Sequence, residues 1–430
     1  MSLLPQFSKI LEKLFCKRLV DFIENNAILS KSQYGFRQKH STSFAIMELV
    51  EEITSATDSK KSTIGVFIDL KKAFDTINHS ILLKKLNHYG IRGISNDWLN
   101  SYMRDRHQFV NYNDVNSEML KIVCGVPQGS ILGPILFILY INDLCKVSET
   151  LKFVLFADDT NLFASGTDLK QLCDVINEEL IKINAWFRVN KLSLNVSKTN
   201  FMIFSNKHLD HNNPINLTID GTNIVQVFET KFLGVMIDHK LNWKSHIMNI
   251  RAKLSRCIGM FYKASQILDV DSLRMLYCLL YLPHISYCNE IWGTAYKSNI
   301  DCINKSQKRV IRIICKASKF CHTTPLFSKL KLLKFNDLVN CNIASLMFRV
   351  SKKDVPLNIQ KYFSLNHGNY GLRHSDKFQV KFVRTTRKSQ CLSAYGVKLY
   401  NDLDQSLKQT KALGRFKKLL KRRLISKYET

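Results

Sequence analysis

Three short apolar segments constrain the fold of this chain more than any other feature. Ile64-Gly-Val-Phe-Ile-Asp-Leu70 reads as a buried strand with an acid near its end. Phe153 to Ala157 and Thr160 to Ala164 read as two more short strands, with Asp158-Asp159 at the turn between them. Asp69, Asp158 and Asp159 are therefore expected at strand tips, where they repel one another and each carboxylate costs desolvation. Taken alone, the acid pair also fits a hairpin turn capped by its own side chains. Helical periodicity surrounds these strands at Leu11 to Ile23 and at Ser80 to Tyr89, where Gly90 marks the stop. The alternation predicts a domain of mixed helices and strands over roughly the first 240 residues.

The acids belong to a strongly basic chain. Its 430 residues hold 63 Lys and Arg against 35 Asp and Glu, a net charge of +28, with 45% hydrophobic content. That is enough apolar material for two or three domains with a substantial core, and it excludes a disordered tail. A field of this sign favours nucleic acid or an anionic membrane surface, with surplus solubility as the plainer account. Twelve cysteines without a C-x-x-C pair exclude a zinc ribbon or redox motif and fit reduced thiols in an intracellular protein, nuclear or cytoplasmic. The most apolar run, Ile131 to Ile141, is about half the roughly 20 residues a bilayer span requires and contains Gly133-Pro134, so it reads as core with no membrane role. Pro5, Lys9 and Glu12 interrupt the first apolar stretch, and no export signal is visible.

Beyond residue 240 the pattern turns to basic helices. Ile247, Ile250, Leu254, Ile258 and Phe261 recur at spacings of three and four, leaving Arg251, Lys253 and Arg256 elsewhere on the surface. From Asn304 to Cys315, Lys305, Lys308, Arg309 and Arg312 form a single-sign stripe opposite Val310, Ile311 and Ile314, without the acidic partners a solvated face usually carries. A polar break follows at residues 367–377. The last segment is an amphipathic basic helix with Phe416, Leu420 and Leu424 in register, which fits a packed terminal helix as well as a nucleic-acid or nuclear-import patch.

Carboxylates gathered at strand tips in a basic protein are explained together if they hold divalent metal and the positive surface binds a polyanion. Mg²⁺ takes one or two carboxylates and completes its shell with water and phosphate oxygens. Two such ions about 4 Å apart activate an attacking hydroxyl and stabilise the leaving group of a phosphoryl transfer. The G-x-x-x-x-G-K-[ST] phosphate loop is absent, which removes the main support for an ATPase or GTPase.

Four ordered motifs then add a resemblance. Gln33-Tyr-Gly-Phe-Arg37 with Ser41-Thr42, Phe67-Ile-Asp-Leu-Lys-Lys-Ala-Phe-Asp75, Gly125-Val-Pro-Gln-Gly-Ser-Ile-Leu-Gly-Pro134 and Phe156-Ala-Asp-Asp159 resemble the finger and palm motifs of reverse transcriptases, particularly the jockey-like branch of non-LTR retrotransposons. Trp98-Leu-Asn-Ser-Tyr102 with Arg106 and Gln108, and Lys231-Phe-Leu-Gly234, are similar to that group too. The resemblance implies an α+β right-hand polymerase: fingers and palm with a ferredoxin-like palm sheet over residues 1–240, a helical thumb over 241–318 and a basic C-terminal region over 319–430. It also implies an RNA-directed DNA polymerase that extends a DNA primer 3′-OH with deoxynucleoside triphosphates on an RNA template, using two Mg²⁺ ions or Mn²⁺ in their place.

By the same resemblance, Asp69 and Asp158 would ligate both ions and Asp159 would complete the acidic cluster. Phe74 would stack beneath the incoming sugar, although core packing accounts for it equally. Gln128 and Gly129 would line the nascent base pair, the glycine permitting close backbone approach. Arg37 would clamp the triphosphate or else lie on the finger surface, and Lys198 would protonate departing pyrophosphate or else be an exposed hairpin lysine. Phe232, Leu233 and Gly234 would form the primer grip, with a buried strand end as the alternative. Lys305, Lys308, Arg309 and Arg312 would track the phosphate backbone of the template-primer duplex.

Three departures accompany the match. Members of the group run an Arg-Pro-Ile-Ser strand into the Ser-Leu-Leu-Pro segment, whereas this chain begins at Met1-Ser-Leu-Leu-Pro5, so a truncated copy without the opening finger strand is expected. Neither an endonuclease domain nor a Cys/His zinc knuckle is visible in the sequence. Leu399-Tyr-Asn-Asp-Leu-Asp404 stands where the group shows a Trp-Asn-x-Leu-Pro pattern. The rival expectation is a catalytically inactive nucleic-acid-binding remnant, and a group II intron-like maturase fits the palm without fitting the motifs around it.

Overall fold

A computed structural model describes residues 5–206, 215–365 and 377–429. The first four residues and positions 367–376 of the polar break lie outside the described residues. The chain forms two compact units, Met1–Ser41 with Lys61–Val227, and Thr42–Lys60 with Phe228–Thr430. Helix α1 (Gln6–Asn25) belongs to the first, and helix α2 (Thr42–Asp58) to the second.

The first unit is built around strand β1 (Ser62–Ile68), which is buried along its whole length, as an apolar run at the centre of a covered sheet must be. Helices α3 (His79–His88), α4 (Ile94–Met103) and α5 (Gly133–Tyr140) lead to a hairpin of β2 (Lys152–Phe156) and β3 (Asp159–Gly166). Helix α6 (Leu169–Val189) then returns the chain to β4 (Asn200–Phe204), and β5 (Val225–Gln226) adds at the edge. The sheet order is β5-β4-β1-β3-β2, with β1 antiparallel to both β3 and β4 and only β5 parallel to its neighbour. The order 4-1-3-2 with a helical crossover on each side of the β2–β3 hairpin is the ferredoxin-like arrangement expected of a palm.

Local chemistry sets the element ends. Asn78 caps α3 by accepting Ile81 N–H at 3.1 Å, and Gly90 stops it at φ +90° with Ile91 N–H returning to Leu86 O. Asp168 caps α6 through the N–H groups of Lys170 and Gln171. Helix α5 is apolar on every side and almost entirely buried, which places Leu132 and Ile135 to Ile141 in the core and leaves Ile131 exposed. Among the described residues no helix is long and apolar enough to cross a membrane.

The second unit starts with a hairpin of β6 (Glu229–Phe232) and β7 (Val235–Asp238). Helices α7 (Lys244–Ala264) and α8 (Lys297–Ile314) pack against each other, and α9 (Phe335–Ser351) packs against α10 (Leu413–Ser426) with Phe348 stacked on Phe416 at 4.5 Å. Residues Ile247, Ile250, Leu254, Ile258 and Phe261 of α7 are all buried. Phe416 and Leu420 are buried too, so α10 is a packed terminal helix.

The sequence passes from one unit to the other after Val227, with α2 drawn out of the N-terminal half, and the partners of α2 supply the reason. This helix is buried on most sides, including the carboxylates of Glu48 and Glu51. Those acids find partners late in the chain: Lys388 Nζ lies 2.5 Å from Glu51 Oε2, Ser393 N–H and hydroxyl both donate to Glu51, and Lys361 pairs with Glu48 and Glu52. Asp58 accepts the N–H groups of Arg384 and Thr385. The expected thumb and C-terminal segments thus share one unit with a helix drawn from the expected fingers.

Candidate active site

In the β1–β3 pair, Ile68 faces Thr160 at the end of the ladder, and Asp69 and Asp159 are the residues next to that last pair. Asp159 opens β3, so the turn itself is Ala157-Asp158 rather than Asp158-Asp159. All three acids therefore gather at neighbouring strand tips in one sheet, as the apolar runs foretold. Burial is the largest cause pushing the Asp159 carboxyl up to about 6, followed by the charges of Asp158 and Asp69. Burial also raises Asp158, with Asp69 adding to the rise and its own backbone opposing it. Both side chains reach solvent, yet the crowded strand tips remove enough water on the other side to penalise the charged forms.

Ala157 takes φ +54°, a conformation a residue with a Cβ adopts only when its surroundings impose it. The Gln33-Tyr-Gly-Phe-Arg37 segment supplies those surroundings. Tyr34 N–H donates to Leu155 O at 2.8 Å and Leu155 N–H to Ser32 O at 2.9 Å, laying the segment alongside β2. Gln33 Oε1 then accepts both Gly35 N–H at 2.8 Å and Ala157 N–H at 3.2 Å. Gly35 lies so close to the turn that any side chain would meet its backbone. Arg37 is placed elsewhere: its guanidinium forms a two-bond ion pair with Glu24 and donates to Ser30 O, tying the segment to α1 rather than meeting the acids.

The Pro-Gln-Gly loop docks onto the turn that follows β1. Gly125 and Val126 donate to Ile77 O and Phe74 O, and Gly125, at φ +85°, has no room for a Cβ beside the Asp75 backbone. Gln128 is exposed and donates to Asp75 Oδ1 at 2.9 Å, while Gly129 takes φ +115°. Phe74 is half-buried and stacks on Phe137 at 4.5 Å, so one side of its ring is packed. A groove of about 460 Å³ beside the loop is lined by Lys72, Arg106, Gln108, Lys121 and Gln128.

The loop's far end rests on a buried carboxylate that no motif announced. Glu12 of α1, 1% exposed, accepts Ile131 N–H at 2.7 Å and the Tyr102 hydroxyl at 2.9 Å. Trp98 stacks between Phe15 and Tyr102, and the Arg106 guanidinium lies over Tyr102. The Trp98-to-Arg106 motif is thus a scaffold for the loop. Burial and the Glu12 charge push the Tyr102 hydroxyl up to about 12, keeping it a donor.

Asp69 has its own support, likewise unassigned from sequence: Asn195 Nδ2 donates to Asp69 Oδ2 at 2.7 Å. Lys198 follows in the same loop with its side chain exposed. Asn195 lies between Leu194 and Val196, and no local pattern singles it out as a partner of Asp69.

In the second unit, Phe232 is buried, and Leu233 and Gly234 form a two-residue turn with φ +45° and +81°. The Tyr287 hydroxyl donates to Leu233 O at 2.8 Å. Lys305, Lys308 and Arg309 are exposed along α8, and Arg312 donates to Cys321 O. Lys305, Lys308 and Arg312 line a groove of about 510 Å³ with His322, Thr324 and Lys334.

Among the described residues, no three His, Cys, Asp or Glu side chains are arranged to hold a metal ion by themselves. The donor set at the strand tips nevertheless suits a hard divalent cation: carboxylate oxygens only, with the charged forms of Asp158 and Asp159 penalised first by burial and then by the neighbouring acids.

The reverse transcriptase (RNA-dependent DNA polymerase) family model matches residues 1–237. The chain is 30% identical over 352 residues to a probable RNA-directed DNA polymerase from transposon X-element of Drosophila melanogaster, covering 79% of this chain and 38% of that protein. A probable RNA-directed DNA polymerase from transposon BS of the same fly is 31% identical, covering 77% and 37%. The RNA-directed DNA polymerase from its mobile element jockey is 27% identical, covering 80% and 38%. The chain therefore spans under two fifths of the length of these relatives.

Proposed function

Since the chain belongs to the reverse transcriptase (RNA-dependent DNA polymerase) family, in the company of jockey-like non-LTR elements, we propose that its first unit transfers deoxynucleotides to a DNA primer 3′-OH on an RNA template. The convergence of Asp69, Asp158 and Asp159 on adjacent strand tips carries this reading. These three would hold Mg²⁺, which when bound makes the primer hydroxyl a better nucleophile and stabilises the charge on departing pyrophosphate. Water and substrate phosphates would supply the oxygens the protein does not.

The remaining roles belong to the chain's own side chains. The free face of Phe74 would lie beneath the incoming sugar, its ring held by Phe137. Gln128 and Gly129 would border the nascent base pair, with Asp75 fixing the glutamine amide. Lys198, exposed in the loop that carries Asn195, would donate a proton to pyrophosphate as it leaves. Arg37 would serve through its pair with Glu24, holding the Gln33-to-Arg37 segment against the acid-bearing hairpin. Phe232, Leu233 and Gly234 would grip the primer, and the α8 stripe would track its duplex through phosphate contacts.

Primer extension on poly(rA)/oligo(dT) with Mg²⁺, comparing the chain with Asp158→Ala, tests the proposal. Incorporation that needs metal and is lost in the variant supports it. RNA binding with no incorporation by either protein would leave a nucleic-acid-binding remnant instead.

A further inference from the structure

We propose that Asn195 is a positioning residue that holds the Asp69 carboxylate in the orientation a divalent cation requires. The proposal rests on the polymerase reading above and adds a residue to it. Asn195 grips the acid twice, its Nδ2 donating to Asp69 Oδ2 at 2.7 Å and its backbone N–H to Asp69 O at 2.9 Å. Thr199 closes the loop: its hydroxyl donates to Asn195 O at 3.0 Å and accepts Asp69 N–H at 3.3 Å. The Ser197 hydroxyl donates to Asn195 Oδ1 at 2.9 Å, which leaves Nδ2 as the end of the amide that faces the acid. A pairing of Leu70 with Leu194 and a bond from Lys71 N–H to Ser193 O anchor the strand ends on which this loop stands.

The chemistry explains why an amide suits the place. Among the described residues, Asp69 pairs with no Lys or Arg, and Asn195 is the one side chain donating to its carboxylate. A cation there would cancel the charge that a metal needs, and a second acid would add to the repulsion already present at Asp158 and Asp159. A neutral donor fixes one carboxylate oxygen and leaves Oδ1 and the full negative charge available. The same Asn195 carbonyl accepts the N–H groups of Lys198 and Thr199, so the position of Lys198 is tied to that of the acid.

Mn²⁺ titration of the full chain, followed by electron paramagnetic resonance, tests this without requiring turnover. Asn195→Ala should bind Mn²⁺ about 10- to 100-fold more weakly, the usual loss when a ligand's outer-shell partner is removed. In primer extension its half-saturating Mg²⁺ should rise comparably, while template-primer affinity stays within about twofold, since no nucleic-acid contact is removed. Asp158→Asn should also weaken Mn²⁺ binding, identifying the titrated site as the one at the strand tips. Mn²⁺ affinity within twofold of the parent in a variant with the parent's melting temperature overturns the inference, as does a parent chain that binds no Mn²⁺. Should Asn195→Ala fail to fold, Asn195→Ser, which keeps a small polar side chain with shorter reach, is read by the same criterion. A parent that binds Mn²⁺ yet incorporates nothing would defeat the polymerase reading while the titration still decides the role of Asn195.

Discussion

A Cβ added to Gly35 would stand 2.5 Å from the backbone nitrogen of Ala157, closer than any real side chain can sit. The glycine is therefore a seat for the acid-bearing turn. Gly35→Ala must displace that turn or the Gln33 bonds that hold it, at an overpacking cost of about 1–3 kcal/mol. Denaturant unfolding should report that loss, and extension activity should fall at least tenfold because the shift occurs at Asp158. Gly65→Ala, whose added atom would meet the Phe204 ring at 3.4 Å and the Phe67 ring at 3.7 Å, both ordinary contacts, should cost less on both measures.

Asp159 makes the first unit sensitive to pH in a definite direction. Its carboxyl is pushed up from 3.8 to about 6, so between those values the folded chain binds the proton more tightly than the unfolded one. Stability from this group is fully present below pH 3.8 and is lost as pH rises through about 6. Asp159→Asn should therefore melt higher than the parent at pH 8 and together with it near pH 4, as read by calorimetry. Saturating Mg²⁺ should raise the parent's melting temperature at pH 8 and narrow the gap.

The buried pair of Glu51 and Lys388 predicts an asymmetric response to mutation. Lys388→Met leaves a carboxylate that is 1% exposed without its cation, which costs about 3–5 kcal/mol. The double variant with Glu51→Gln removes the orphaned charge and should recover most of that loss in denaturant unfolding. Equal destabilisation by the single and double variants would contradict the assignment.

The α8 stripe predicts a change in salt dependence. If Lys305, Lys308 and Arg309 each neutralise a phosphate, replacing all three with Ala should flatten the slope of log affinity against log salt by roughly 2–3. Sequence preference should not change, because backbone contacts carry no base information. Fluorescence anisotropy between 50 and 300 mM salt would measure both.

The acid tips were legible because each follows an apolar run that only a buried strand can satisfy, so the positions of Asp69, Asp158 and Asp159 follow from Ile64–Ile68 and Phe153–Phe156. The 4-1-3-2 strand order was not visible in periodicity and came from the resemblance alone. Gln33 stood in a quoted motif and Asn195 in none, yet the work of both is to hold backbone or carboxylate groups supplied by distant segments. No local pattern reports such bonds. Arg37 shows the converse: its residue type suggested phosphate, and Glu24, thirteen positions earlier, has taken its fork of donors. Helix α2 was hardest to read, because buried Glu48 and Glu51 look like surface acids until Lys361, Lys388 and Ser393 arrive.

Their arrival also imposes a timetable. Glu51 and Ser393 are separated by 342 positions. At roughly 5–20 residues per second of synthesis, α2 leaves the ribosome on the order of twenty seconds to a minute before the segment that covers it. During that wait its apolar sides face the cell without their partners, and the first unit can close around its sheet independently. Slowing translation between residues 60 and 390 should therefore lower soluble yield far more than slowing it after Tyr395, making synthesis rate a determinant of how much of this chain ever reaches its folded form.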